Sequence, residues 1–261
     1  MPIYLQKLQH YVELITFWQT KFNLVSKNSV TNIWERHILD SLQLLKFITP
    51  ITPINLSAIP TSSTSPTNCV AYISGDTSPV FTTNINANNP SVVSGKIIFD
   101  LGSGAGFPSV VLAIMDSQNT YYAIESNSKK CVFLQYVKRE LKLDNFIVVN
   151  TRIENFILQQ QVSPSVATQD YQALKINESK VVSHPLKAHI VISRALTGLK
   201  ELLQYTEALL LPKGYGVFPK GASWQQELNS LSTQQQQIFT ITPYNNLFAT
   251  GGKVIICHAK Q

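Results

Sequence analysis

Residues 97–108 read IIFDLGSGAGFP, an apolar run that ends at Asp100 and continues into three glycines at alternate positions. The apolar residues before Asp100 form the short continuous run that is typical of a buried strand. Glycine adopts backbone conformations that other residues avoid, and it lets a ligand approach the main chain closely. This stretch therefore predicts a buried strand, a ligand-binding turn and a helix that begins near Pro108.

The spacing of the glycines distinguishes between possible ligands. A phosphate-binding P-loop requires Lys and then Ser or Thr after its last glycine, whereas Phe107 and Pro108 stand there. A dinucleotide-binding turn has the spacing G-x-G-x-x-G, whereas Gly102, Gly104 and Gly106 are spaced G-x-G-x-G. A strand that ends in Asp and continues as x-G-x-G-x-G resembles the class I S-adenosylmethionine-dependent methyltransferases. That resemblance implies S-adenosyl-L-methionine as the cofactor.

Two carboxylates suit this cofactor. Asp100 stands at the end of its strand, where it can pair with the ammonium of the methionine end. Glu125 ends the next predicted strand, TYYAIE, 25 residues further on. A carboxylate in that position can accept hydrogen bonds from both ribose hydroxyls, as it does in dinucleotide sites. We therefore expect Asp100, Gly102, Gly104 and Glu125 to contact the cofactor; the alternative is a glycine-rich turn that holds no ligand.

Strands and helices alternate after the glycine turn. The further predicted strands are FIVVN, HIVIS, GYGVFP and KVIICHA. The predicted helices cover 108–115, 129–141 and 199–211. This order predicts an α/β fold with a Rossmann-like, mostly parallel sheet that binds its ligand at the carboxyl ends of the strands. The string Thr242-Pro243-Tyr244-Asn245 is predicted to be a turn before the last strand.

The rest of the chain differs in composition. Apolar residues at helical spacing predict amphipathic helices over 3–22 and 33–48. A tract rich in Ser, Thr, Asn and Pro follows, in which Asp76 is the only charged residue; such a composition predicts weak packing. A second irregular stretch interrupts the alternation of strands and helices. The expected units are an N-terminal helical substrate-side unit (1–48), an insertion or linker (49–95), and a methyltransferase domain (96–261) that contains an insertion at about 159–187.

Composition sets broad limits on partners and location. The net charge is +6, which favours a polyanionic partner. The three cysteines are too few and too widely spaced to predict a disulfide framework or a metal site. No apolar stretch approaches the roughly 20 residues of a membrane span, and the first residues lack the apolar core of a signal peptide. We expect a cytoplasmic protein without metal or membrane contacts, and a monomer because there is no long heptad pattern.

Four segments carry a narrower resemblance. They are NLVSKNSVTNIWERHILDSL (23–42), IIFDLGSGAGFPSVVLAI (97–114), VFLQYVKRELKLDNFIVVNTRIENF (132–156) and VISRALTGLKELLQYTEALLLPKGYGVFPKG (191–221). They are similar to the bacterial 16S ribosomal RNA guanine-N7 methyltransferases, the family also called RsmG or glucose-inhibited division protein B. The resemblance implies transfer of a methyl group from S-adenosylmethionine to guanine N7 in 16S ribosomal RNA, free or in a precursor of the small ribosomal subunit.

The same resemblance implies roles for individual residues. Ile153 and Glu154 lie at the adenine of the cofactor, Arg194 contacts the cofactor or the guanine, and Lys220 is a candidate phosphate contact. For His37 a structural hydrogen bond is an equal alternative to catalysis. The expected residues are Arg194, His37 and Arg36 for catalysis; Asp100, Gly102, Gly104, Phe107, Glu125, Ile153, Glu154 and Arg194 for the cofactor; and Lys220 and Asp40 for the substrate.

The residue chemistry is compatible with this acceptor. Methylation at pyrimidine C5 needs a Cys nucleophile, and no Cys lies near the predicted site. Guanine N7 has a free lone pair, so positioning can supply most of the rate enhancement without a general base. Two alternatives remain open at this point: an NAD(P)-binding oxidoreductase, based on the strand-glycine-acid pattern, and a non-catalytic RNA-binding relic of the methyltransferase fold.

Overall fold

The structure is a computed structural model that describes residues 1–49, 95–161 and 186–260. Nearly all of the two irregular stretches predicted at 49–95 and 159–187 falls outside the described residues. Their expected character as weakly packed insertions therefore stays a prediction.

A seven-stranded sheet forms the centre of the described structure. Its strands, in the spatial order β3-β2-β1-β4-β5-β7-β6, are β1 (Ile97–Leu101), β2 (Thr120–Glu125), β3 (Phe146–Asn150), β4 (Ala188–Ile192), β5 (Leu210–Lys220), β6 (Phe239–Asn245) and β7 (Lys253–Ala259). Strands β1 to β5 are parallel, and β7 is antiparallel to both β5 and β6. The predicted α/β class with a mostly parallel sheet is confirmed.

The strand order places the ligand-binding edge. From β1 the chain proceeds outward through β2 to β3, and it then returns to β4 on the other side of β1. In open α/β sheets ligands bind in the crevice at such a reversal, outside the carboxyl ends of the strands. The glycine turn after β1, Glu125 at the end of β2 and Arg194 after β4 all lie at this edge.

Helices cover both faces of the sheet. Those of the sheet region are α5 (Ser109–Met115), α6 (Ser128–Leu141), α7 (Ile153–Gln161), α8 (Leu199–Leu209), α9 (Trp224–Asn229) and α10 (Thr233–Ile238). Before them come α1 (Ile3–Gln19), α2 (Lys27–Val30), a π-helical turn (Trp34–Leu39), α3 (Asp40–Leu42) and α4 (Leu45–Ile48). The side chains of Leu8, Tyr11 and Ile15 are fully buried in the same apolar layer as Val110 and Phe133. The N-terminal helices therefore pack directly against α5 and α6.

The single helix predicted over 33–48 is wrong. The chain forms the π-helical turn and then two short helices, α3 and α4. The hydroxyl of Ser41 donates to the carbonyl of His37 at 2.6 Å, a side-chain bond of the kind that bends helices. Apolar periodicity alone did not reveal this interruption, because it reports the buried face and not the backbone path.

The turn predicted at 242–245 is also wrong, because these residues belong to β6 and pair with β7. Pro243 is compatible with this position since β6 is an edge strand, where a missing N–H breaks no ladder. Strand β5 begins at Leu210, so the predicted helix over 199–211 ends two residues early.

Candidate active site

The glycine turn needs glycine for both its conformation and its packing. Gly102, Gly104 and Gly106 have φ values of +71°, +58° and +97°, in the left-handed region that L side chains rarely adopt. A Cβ on Gly106 would lie 2.5 Å from a methyl of Val110 and 2.8 Å from the hydroxyl of Tyr11. The turn can therefore pass close to its neighbours only as glycine.

Glu125 is fixed beside this turn. One carboxylate oxygen accepts a hydrogen bond from the N–H of Gly104 and the other from the N–H of Asn127, both at 2.8 Å. The side chain of Asn127 in turn caps the start of α6. The structure thus brings together the glycine turn and the carboxylate that the sequence assigned to the ribose.

Asp100 is a buried carboxylate with one free oxygen. The residue is 1% exposed, and its Oδ2 accepts a 2.5 Å hydrogen bond from the hydroxyl of Ser109. Its Oδ1 has no partner among the described residues. Burial raises the pKa of Asp100 to about 6, although the hydrogen bonds from Ser109 and Ser103 oppose this shift. Buried polar atoms are nearly always satisfied, so a cationic ligand group fits this oxygen.

A cavity of about 480 Å³ opens beside the turn and Glu125. Ile153 and Glu154 also line it, and their expected contact with the adenine stays a prediction. Glu201 and Tyr205 of α8 also line it, and the Tyr205 hydroxyl donates to Glu154 at 2.6 Å. That hydrogen bond lowers the pKa of Glu154. Sequence reasoning missed both α8 residues, because their helical spacing resembles any other exposed helix face.

Phe107 contacts the N-terminal helices, and its expected contact with the cofactor stays a prediction. It does not line this cavity; its ring stacks on the imidazole of His37, with centroids 4.6 Å apart and planes at 18°. On another side it packs against the ring of Tyr11 at 5.4 Å. In this structure Phe107 joins the glycine turn to the N-terminal helices.

Arg194 is the centre of a group of residues that we call the Arg194 cluster: Arg36, His37, Asp40, Arg194 and Asn246. Its Nε lies 3.1 Å from Oδ2 of Asp40, and its Nη2 donates to the Arg36 carbonyl at 2.6 Å and to Nδ1 of His37 at 2.8 Å. Its Nη1 is buried and has no partner in the part of the chain that the structure describes. The structure therefore brings Arg194, Arg36, His37 and Asp40 together, while their expected roles in catalysis and binding stay predictions.

The contact with Arg194 determines the protonation of His37. A guanidinium can only donate, so Nδ1 of His37 accepts and the proton of the neutral ring lies on Nε2. Burial, followed by the charges of Arg194 and Arg36, lowers the pKa of His37 to about 3. His37 is thus a neutral hydrogen-bond donor near pH 7, and neither ring nitrogen has a free lone pair with which to act as a general base.

Asp40 is held by one nearby residue and by one from a distant part of the chain. Its Oδ1 accepts hydrogen bonds from the side-chain amides of Gln43 at 2.7 Å and Asn246 at 3.1 Å. Gln43 also accepts from the N–H of Leu247 at 3.0 Å. Asn246 lies in the connection from β6 to β7. No local sequence pattern identifies Asn246, because it is 206 residues from Asp40 in sequence and the two meet only in the folded protein.

Lys220 is already paired. Its ammonium lies 2.7 Å from Oε2 of Glu227 and donates to the Thr197 carbonyl, also at 2.7 Å. Its side chain is 9% exposed, so it is neither a solvated lysine nor free for a phosphate as it stands. Lys220, Arg36 and Arg194 line a second, open cavity of about 720 Å³, and Leu196 lines both cavities.

Comparison with known proteins places this site in a family. The GidB sequence model, described as rRNA small subunit methyltransferase G, matches residues 4–57 and 84–169. The chain belongs to this family. It is 27% identical to Ribosomal RNA small subunit methyltransferase G of Ruegeria pomeroyi over 88% of this chain and 79% of that protein. It is 28% identical to the protein of that name from Gluconobacter oxydans, over 91% of this chain and 86% of that one.

Membership in the methyltransferase G family confirms the expected family and argues against an oxidoreductase. Among solved structures, fibrillarin of Methanococcus jannaschii, titled a pre-rRNA processing protein, is 16% identical, with a TM-score of 0.44 over 64% of this chain and 67% of that one. Within 1–49, 95–161 and 186–260, no three His, Cys, Asp or Glu side chains are grouped as a metal site would require. No helix in these ranges is long and apolar enough to cross a membrane.

Proposed function

We propose that this protein transfers a methyl group from S-adenosylmethionine to N7 of a guanine in small-subunit (16S) ribosomal RNA, which produces 7-methylguanosine. Its membership in the methyltransferase G family supports this function. The observation that carries the proposal is the free, buried Oδ1 of Asp100 beside a glycine turn and Glu125.

The unpaired polar atoms suit the methionine end of the cofactor. That end is a zwitterion, with an ammonium that donates and a carboxylate that accepts. Asp100 offers a free acceptor, while Arg194 Nη1 and His37 Nε2 are free donors among the described residues. Leaving a buried donor or acceptor unsatisfied costs about 1–3 kcal/mol. A ligand that carries both charges would remove these costs.

The ribose and adenine of the cofactor would lie in the 480 Å³ cavity. Glu125 would accept hydrogen bonds from the ribose hydroxyls, and Gly102 and Gly104 allow close approach of the ligand to the main chain. Ile153 and Glu154 would contact the adenine. Phe107 would act indirectly by supporting His37.

The reaction requires positioning more than proton transfer. When bound, S-adenosylmethionine supplies an electrophilic methyl group, and guanine N7 offers its lone pair without prior deprotonation. A neutral His37 with its proton on Nε2 can therefore contribute as a donor that orients a ligand. Holding two reactants in line accounts for a large part of the rate enhancement in such reactions.

The second cavity would receive the guanine. It is lined by the N-terminal residues Arg36, His37 and Asp40 as well as by Arg194, so residues 1–48 would form the substrate side and 96–261 the methyltransferase domain. Lys220 would contact a phosphate only by leaving Glu227. The partner would be 16S ribosomal RNA or a precursor of the small ribosomal subunit. The protein would bind it as a monomer in the cytoplasm.

A methylation assay tests the proposal. The protein is incubated with tritiated S-adenosylmethionine and small-subunit ribosomal RNA that lacks base methylation, and the RNA is then digested to nucleosides. We expect label in 7-methylguanosine, its loss in Asp100→Asn, and its retention in Asp144→Asn, which changes an exposed carboxylate.

Other outcomes would contradict the proposal. Label in a different nucleoside would overturn the N7 assignment. RNA binding without affinity for S-adenosylhomocysteine would instead indicate a non-catalytic relic.

A further inference from the structure

Helix α1 reaches the glycine turn through one hydroxyl. Tyr11 is fully buried, and its hydroxyl donates to the carbonyl of Ala105 at 2.6 Å, across 94 residues of sequence. Ala105 stands between the second and third glycines of the turn and is 4% exposed. Within residues 1–49, 95–161 and 186–260 no second donor to this carbonyl is seen, and water has little access, so removal of the tyrosine hydroxyl would leave the carbonyl unsatisfied.

The other bonds of the turn come from its own region of the sheet. The N–H groups of Gly102 and Ser103 donate to the carbonyl of Ile124. The N–H of Gly104 donates to Glu125, and that of Gly106 donates back to Ser103. Glycine loses more conformational freedom on ordering than any other residue. The hydrogen bond from Tyr11 to Ala105 therefore restricts the conformation of a turn whose glycines make it flexible.

The ring of Tyr11 supports the same segment. It packs against Phe107, the residue that follows the last glycine and carries the imidazole of His37 on its other side. The Tyr11 hydroxyl also occupies the space beside Gly106, 2.8 Å from the position of a Cβ there. Phenylalanine would keep the ring contact with Phe107 and lose only the hydroxyl, so the hydrogen bond to Ala105 is what tyrosine adds at this position.

We propose that Tyr11 is a positioning residue for the cofactor, whose hydroxyl holds the glycine turn in its ligand-binding conformation. The N-terminal helices would then serve the cofactor site as well as the substrate side. This inference rests on the proposed function, since it assumes that the glycine turn binds S-adenosylmethionine.

Two tyrosine variants separate positioning from stability. Tyr121 is also fully buried, and its hydroxyl donates to Asp116 at 2.8 Å, away from the turn. We expect Tyr11→Phe to raise the Kd of S-adenosylhomocysteine by about 5- to 20-fold, because the free turn can then relax to satisfy its carbonyl, whereas ligand binding would return the carbonyl to an unsatisfied position. We expect Tyr121→Phe to lower the melting temperature at least as much while its Kd stays within about twofold of wild type. Calorimetric titration and thermal melts of the full chain measure both.

A measurement on the wild type covers the case in which Tyr11→Phe fails to fold. Coupling is reciprocal, so S-adenosylhomocysteine should slow amide hydrogen exchange in α1 around Tyr11 and leave α10 unchanged. Unaltered exchange in α1, or equal weakening of Kd in both variants, overturns the inference while wild-type binding leaves the proposed function standing. If the wild type binds no S-adenosylhomocysteine, the proposed function itself fails.

Discussion

The glycine turn and the Arg194 cluster lie at one edge of the sheet, but they are built differently. The turn consists of consecutive residues, 102–106, and its main restraints come from the neighbouring strand β2. The Arg194 cluster joins Asp40, Arg194 and Asn246, which stand in three distant parts of the chain. The turn depends on backbone conformation, whereas the cluster depends on ion pairs and hydrogen bonds between side chains from separate parts of the chain.

This difference predicts different consequences of mutation. A change in the turn should weaken cofactor binding and leave the rest of the fold intact. A change in the cluster should lower both stability and methyl transfer, because removing one member leaves another buried and unpaired.

The largest expected effect is that of Arg194→Ala. It leaves Asp40, whose side chain is 8% exposed, without its counter-charge, at a cost of about 3 kcal/mol or more. We expect kcat/KM for RNA methylation to fall by at least about 100-fold, together with a lower melting temperature. Arg139→Ala, an exposed arginine on α6, is the matched control. If Arg194→Ala methylated RNA within threefold of wild type, the cluster would not be needed for methyl transfer.

Gly102→Ala tests the turn. Ala at φ +71° costs about 1–2 kcal/mol, and its Cβ would lie 2.6 Å from a methyl of Leu196. We expect the Kd of S-adenosylhomocysteine to rise by about 5- to 30-fold. Gly221→Ala is the control, because nothing lies within 4 Å of its Cβ and its φ is not positive. Equal binding by the two variants would show that the turn tolerates a side chain.

The pH dependence tests Asp100. Its pKa of about 6 means that the carboxylate is charged above that pH and neutral below it. Since only the charged form pairs with an ammonium, affinity for S-adenosylhomocysteine should be full above pH 7 and about tenfold weaker at pH 5. His37, with a pKa of about 3, adds nothing in this range. The Asp100→Asn variant should bind S-adenosylhomocysteine weakly, and its affinity should not fall further between pH 7 and pH 5. A fall in affinity over this range in the variant would contradict the assignment to Asp100.

The smallest expected effect is that of Asn246→Ala. It removes one of the hydrogen bonds that orient Asp40, a loss of about 1 kcal/mol. We expect roughly a fivefold lower kcat/KM with an unchanged Kd for S-adenosylhomocysteine. Asn245→Ala is the control, since Asn245 is exposed and bonds only Lys253 among the partners that the structure shows. An equal loss of kcat/KM in both variants would show that Asn246 has no specific role in the Arg194 cluster.

Sequence patterns predicted the elements with strong local signals. Helix α6 begins at Ser128 and ends at Leu141, within one residue of expectation, because apolar periodicity and the Asn127 cap both act locally. Strand β6 was missed because its pairing with β7 outweighs the turn preference of Pro243. The π-helical turn and the break after Leu42 were missed because side-chain bonds to the main chain leave no periodic trace.

For the site, Asp100, Gly102, Gly104 and Glu125 were predicted from the position of the two acids at strand ends and from a glycine spacing that resembles class I methyltransferases, because a tight turn at a strand end demands particular residues at particular positions. Arg36, His37, Asp40 and Arg194 came from the family resemblance, but only the fold showed that Arg194 pairs with Asp40 and makes His37 a neutral donor. Tyr11, Asn246 and the buried pairing of Lys220 emerged only in three dimensions. Backbone conformation is encoded by neighbouring residues, whereas protonation and charge pairing depend on groups that folding alone brings within a few ångströms.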